Sequence, residues 1–95
     1  MTLEQIESYV KYLRSEEKSS ATIKQYQREV QRFYLWLPVG KRVEKELALT
    51  YKEELQGQKK AVSVNASLAA LNSFFRFMEW QELTLKPMKT QRRVF

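Results

Sequence analysis

The chain has 95 residues, too few for two independent cores, and 43% of them are hydrophobic, so one packed domain is expected rather than disorder. Lys and Arg outnumber the acids 17 to 11, a formal charge of +6, and every acid is Glu. With no Cys and no His, disulfides, thiolate metal sites and the commonest general base are excluded.

There is no Asp to pair with Glu at a metal and no Gly-rich phosphate loop, so catalysis, metals and cofactors are not expected within this chain. No apolar run approaches the ~20 residues of a membrane span, and the start does not read as a signal peptide. A cytoplasmic protein beginning near Met1, with no membrane partner, is the expectation. Two Gly and two Pro leave little room for a many-stranded sheet, and the apolar spacing is helical throughout. The fold class expected is all-α, with four helices and an extended basic C-terminal tail.

Thr2 and Gln5 have capping-box spacing, and Leu3, Ile6, Tyr9, Val10 and Leu13 then recur on one face of a first helix that fades near Glu17. Ser19 and Ser20 restart the chain as caps. A second helix follows with Ile23, Tyr26, Val30, Phe33, Tyr34 and Leu37 inward, and Pro38 and Gly40 end it. A third helix, Val43 to Gln56, turns Leu47, Tyr51 and Leu55 inward and stops at Gly57. Ser63 caps a fourth, whose stripe is Val64, Leu68, Leu71, Phe74, Phe75 and Met78 and which ends near Gln81. From Leu83 onward, Pro87 and the bases Lys86, Lys89, Arg92 and Arg93 read as an extended segment.

The surfaces opposite these stripes carry the functional signal. On the second helix Lys24, Arg28 and Arg32 repeat every four residues, a row able to follow phosphates, with Gln25 and Gln31 beside it. The same row also suits an ordinary solvated face. On the fourth helix Asn65, Ala69, Asn72, Ser73 and Arg76 make a small, polar face without an acid. Asn carries the donor and acceptor pair that matches adenine in the major groove. Ser20 and Thr22 at one helix start, and Ser63 and Asn65 at the other, supply hydroxyls and free N–H groups where a phosphate oxygen can sit, or act as plain caps. Tyr26, Phe33, Phe74 and Phe75 fall at core spacing. Trp36 and Trp80 fall off the stripes, and each either covers a helix end or touches a neighbouring subunit.

The segment SSATIKQYQREVQRFYLWL resembles the S-x-x-T-x-x-x-Y-x-x-x-L-x-x-F-x-x-W-L pattern of core-binding domains in tyrosine recombinases, the phage integrase family. Ser19, Thr22, Tyr26, Val30, Phe33, Trp36 and Leu37 take those places. VSVNASLAALNSFFRFMEW is similar to the family's second landmark through Leu68, Ala70, Leu71, Phe74, Phe75, Phe77 and Met78. VEKELALTYKEELQGQ matches its looser third helix, and LTLKPMKTQRRVF the stretch leading to the catalytic domain. Two departures stand out. Lys86-Pro87 replaces the usual Asn-Pro, and Asn72 stands where the family often has a base, with Arg76 one turn later available in its place.

The resemblance implies a four-helix SAM-like orthogonal bundle over residues 1–83 and, over 84–95, a linker to a catalytic domain that the chain does not contain. It implies a non-catalytic fragment of a site-specific tyrosine recombinase, half of a clamp on double-stranded DNA in recombination and DNA integration. The partners implied are duplex DNA and the C-terminal catalytic domain of the same protein. The parent is expected to assemble as a tetramer on DNA, the domain alone as a monomer. Its second and fourth helices would meet the major groove. Ser20, Thr22, Lys24, Arg28, Lys60, Ser63, Arg76, Lys86 and Lys89 are the candidate phosphate contacts, and Gln25, Asn65 and Asn72 the candidate base readers. Two alternatives stay open: a helical protein-interaction module built on Trp36 or Trp80, and a free-standing DNA-binding regulator.

Overall fold

A computed structural model describes residues 1–89; the expected tail bases Arg92 and Arg93 lie outside them. Four helices follow in order, α1 (Leu3–Ser15), α2 (Ser20–Trp36), α3 (Lys45–Gln58) and α4 (Ala61–Phe77), then a single 3-10 turn at Gln81–Leu83. There is no strand among the described residues, and the all-α, four-helix expectation holds. No helix among them is long and apolar enough to cross a membrane.

The helix starts follow local chemistry where a capping side chain exists. Thr2 Oγ1 accepts from the Gln5 N–H at 3.1 Å, and Gln5 Oε1 accepts from the Thr2 N–H at 2.9 Å, the reciprocal capping box. Ser19 Oγ accepts from the Thr22 N–H at 3.1 Å and starts α2, so Ser20 is its first helical residue rather than its cap.

Several boundaries differ from the sequence reading, α3 for one starting at Lys45 rather than Val43. Gly57 does not stop α3, which continues to Gln58 and ends where Lys59 turns to extended backbone. Ser63 does not cap α4. The helix begins two residues earlier, with Lys60 extended at its N-cap and no side-chain cap bond. Only Lys59 and Lys60 connect the two helices, so their extended backbone makes the turn that a Gly and a Ser were expected to make.

The far end of α4 also comes earlier than Gln81. Glu79 takes a left-handed conformation (φ 63°), and the N–H groups of Glu79 and Trp80 bond back to the Arg76 and Phe75 carbonyls. α1 ends in the same way on Glu17 (φ 58°), with Glu17 and Lys18 bonding back to Arg14 and Leu13. This is the closing motif that usually uses glycine, built twice here on glutamate.

Helix α4 is central, packed against α2, α3 and the 3-10 turn, while α1 lies on α2. Ile6, Tyr9, Leu13, Val30, Phe33, Leu37, Val64, Leu68, Leu71, Phe74 and Phe75 are all buried, as their spacing predicts. Leu3 is the exception, 56% exposed at the first turn of α1. Aromatic edges tie the helices together: Tyr9 to Phe74 at 5.3 Å, Phe33 to Tyr51 at 5.0 Å and Phe33 to Phe75 at 5.9 Å between ring centroids. Trp80 folds over the end of α4 against Phe74 and Phe75, and Trp36 packs on Phe33 and Tyr51. Both tryptophans are therefore half-buried cover for their own domain.

Candidate nucleic-acid interface

Along the junction of α2 and α4 the surface opens into two grooves. The first is bounded by Lys18 before α2, by Thr22 and Tyr26 on α2, by Asn65, Ala69, Asn72, Ser73 and Arg76 on α4, and by Pro87 beyond it. No carboxylate lines it. The second brings Gln25 and Glu29 of α2 to Lys59, Lys60 and Ser63 around the start of α4. Sequence periodicity placed these residues on separate helices; packing brings Thr22 to Arg76 and Gln25 to Lys60 and Ser63.

The hydroxyls of the first groove are arranged as donors. Ser73 Oγ accepts from the Tyr9 hydroxyl at 2.7 Å, and Thr22 Oγ1 accepts from Ser19 Oγ at 3.0 Å. Each hydroxyl thus has an acceptor site filled and its own proton free to donate. Burial pushes the Tyr9 phenol up to about 12, outweighing its bond to Ser73, so it remains the donor at neutral pH. Among the described residues the ion pairs are Arg32–Glu29 and Arg42–Glu44, which leaves Lys18, Lys24, Arg28 and Arg76 without an acidic partner there. Two cations and two donors facing an acid-free groove form a site for an anionic oxygen.

Arg32, expected at the end of the cationic row, is instead drawn to Glu29 at 3.8 Å. Glu29 was missed from sequence. It is 7% exposed, and its carboxylate accepts from Ser67 Oγ at 3.0 Å across the α2–α4 contact. The available signal was that it is the sole acid on α2 and flanks the buried Val30. Lys24, Arg28, Ser20, Lys86 and Lys89 are exposed, as candidate contacts require, but line neither groove.

The two asparagines are not free. Asn72, expected on the exposed face, is 9% exposed. Its Oδ1 accepts from the Leu85 N–H at 2.7 Å, and its Nδ2 donates to the Leu85 carbonyl at 2.8 Å. Asn65 treats Met88 in the same way, at 2.7 and 3.0 Å. The donor and acceptor pair that would match adenine matches a peptide group equally well, and the chain's own residues 84–89 take it first. This strap also receives Lys45 at the Thr84 carbonyl and Lys52 at the Lys86 carbonyl. It runs between α3 and α4, and its Pro87 forms the far edge of the first groove.

The family model for the phage integrase N-terminal SAM-like domain matches residues 6–82, most of the chain. The chain belongs to this family. No curated protein and no solved structure matches it. The matched SAM-like domain is the integrase's N-terminal domain and not its catalytic one. Its last matched residue falls in the 3-10 turn, so the match ends before the strap.

Proposed function

We propose that this domain binds duplex DNA as the core-site-binding half of a tyrosine recombinase clamp, in site-specific recombination and DNA integration. The observation that carries the reading is the acid-free groove where Lys18, Thr22, Ser73 and Arg76 converge. Phosphate oxygens would sit there, with Lys24, Arg28, Lys60 and Ser63 extending the contact along α2 and into the second groove. Gln25 is left as the base reader, because Asn65 and Asn72 are occupied by the strap. Lys86 and Lys89 would add charge at the edge. Residues 84–95 would serve as the linker to a catalytic domain of the same protein, which would supply the cleavage chemistry within a tetramer on DNA; the domain alone would be a monomer. The cytoplasm is the compartment that fits this work.

The test is fluorescence anisotropy of a labelled duplex of about 20 base pairs, titrated across a salt series. If about five phosphates are neutralised, log K falls with log salt at a slope near −4 to −5. The Arg28→Glu/Arg76→Glu pair should remove most of the binding while leaving the helical signal intact. A folded double variant that binds as well as the parent chain would sink the surface assignment. Absent binding at low salt would favour the protein-interaction alternative. That reading has less to stand on, because the tryptophans it needs are packed against their own domain.

A further inference from the structure

The strap is held by its backbone as well as by Leu85, whose side chain is buried in the core. Asn65 and Asn72 are seven residues apart on α4, about 10.5 Å along the helix axis. Leu85 and Met88 are three residues apart, about 10 Å of extended chain. The two spacings coincide, so each amide meets the N–H and carbonyl of one strap residue, as a neighbouring β-strand would. On the other side Lys45 and Lys52, also seven apart, reach the Thr84 and Lys86 carbonyls. Between the anchors, Pro87 has no N–H to leave unpaired.

We propose that Asn65 and Asn72 form a register clamp, a pair of positioning residues that fixes where the following polypeptide leaves the domain. The role given to that polypeptide rests on the reading of residues 84–95 as a linker. With the strap docked, the tether to whatever follows is counted from Lys89 and not from the end of the 3-10 turn at Leu83. Those six residues would otherwise add up to about 20 Å of reach. Docking therefore shortens the tether, raises the effective concentration of the next segment, and directs it from the Pro87 edge of the groove. A one-residue slip would leave one asparagine facing the wrong part of the backbone, so the clamp does not tolerate changes in spacing.

The chain has no cysteine, which permits clean spin labelling of a Lys11→Cys/Lys89→Cys form. Both positions are exposed. Pulsed dipolar spectroscopy without DNA should give one narrow distance distribution, and Asn65→Ala/Asn72→Ala should broaden it while the helical signal persists. A broad distribution before the asparagines are changed, or a narrow one that survives their removal, would overturn the clamp. Should the double variant not fold, a glycine inserted between Lys86 and Pro87 decides instead, since it leaves every helix intact. Hydrogen exchange should then show about tenfold less protection at Met88 or at Leu85, about the worth of one hydrogen bond, whereas Lys86→Ala should change neither. Full protection at both amides after the insertion overturns the proposal. Because no DNA enters either measurement, a failure of DNA binding leaves this outcome readable.

Discussion

One polar face of α4 carries two pairs of side chains that meet opposite fates. Ser73 and Arg76 border a groove open toward α2. Asn65 and Asn72 line the same groove but are held by the strap, each spending a donor and an acceptor on one peptide group. Asn72 and Ser73 are adjacent in sequence, yet the first is buried and the second half-buried. A polar residue off the hydrophobic stripe is therefore of two kinds: one left to solvent or a ligand, the other matched to chain that returns from elsewhere. Helical periodicity separates both kinds from the core but does not separate them from each other.

The largest expected difference between the two pairs is in stability. Asn72→Ala leaves the buried Leu85 N–H and carbonyl without partners, at about 1–3 kcal/mol for each unsatisfied group, so a loss of about 2–4 kcal/mol is expected in urea melts. Asn65→Ala should cost less, because water can reach the half-buried Met88 backbone. Arg76→Ala, at an exposed position, should stay within about 0.5 kcal/mol of the parent chain. If Arg76→Ala were the most destabilising of the three, the roles of the two pairs would be reversed.

DNA binding should separate the open Arg76 from the lysines turned to the strap. Arg76→Glu is expected to weaken duplex binding by about tenfold or more at low salt and to reduce the salt slope by about 1 for the lost phosphate. Lys45→Ala and Lys52→Ala should weaken it far less, because both lysines are turned to strap carbonyls. Equal losses from all three in anisotropy titrations would mean that net charge, and not the groove, determines binding.

Much of the fold was legible in the sequence because burial on a helix is a periodic demand. The stripes of α2 and α4 fall where three- and four-residue spacing puts them, and Thr2 with Gln5 and Ser19 cap as their chemistry requires. The candidate site was legible only in part. Thr22 and Arg76 were identifiable singly, but their meeting depends on how α2 crosses α4. The burial of Asn72 depends on a strap 13 residues downstream, a contact no local pattern encodes. The sequence reading gave Ser63 a capping role from residue preference, and the two-residue turn at Lys59 and Lys60 moved the helix start away from it.

Alkaline titration reaches the packing behind the groove and the core beside it through two buried tyrosines. Burial raises the phenols of Tyr9, beneath Ser73, and Tyr51, against Phe33 and Trp36, to about 12. Folded chains then keep protons that unfolded chains release above the ordinary value of 10. Stability is thus unaffected by these groups below about pH 10 and falls as pH rises toward 12. Melting temperatures from pH 9 to 11.5 should show the fall, and Tyr9→Phe should flatten its share. A Tyr9→Phe curve parallel to that of the parent chain would mean that the phenol titrates normally.

The smallest effect expected belongs to the helix ends. Glu17 and Glu79 each hold a left-handed conformation whose cost for a residue with a Cβ is about 1–2 kcal/mol, and glycine avoids it. Part of that gain returns to the unfolded chain as added freedom, so Glu17→Gly and Glu79→Gly should each stabilise by about 0.5–1 kcal/mol. The two sites sharpen the comparison differently. Glu17 adjoins Lys18 of the groove, and its removal also takes an acid from beside the groove, so Glu17→Gly should strengthen DNA binding slightly as well. Glu79 closes the end of α4 one residue before Trp80, away from the strap anchors, and Glu79→Gly should raise the melting temperature while leaving the protection of the Leu85 and Met88 amides unchanged. Loss of that protection in Glu79→Gly would mean that strap docking depends on how α4 ends, and the asparagines would then share the setting of its register with the Glu79 turn.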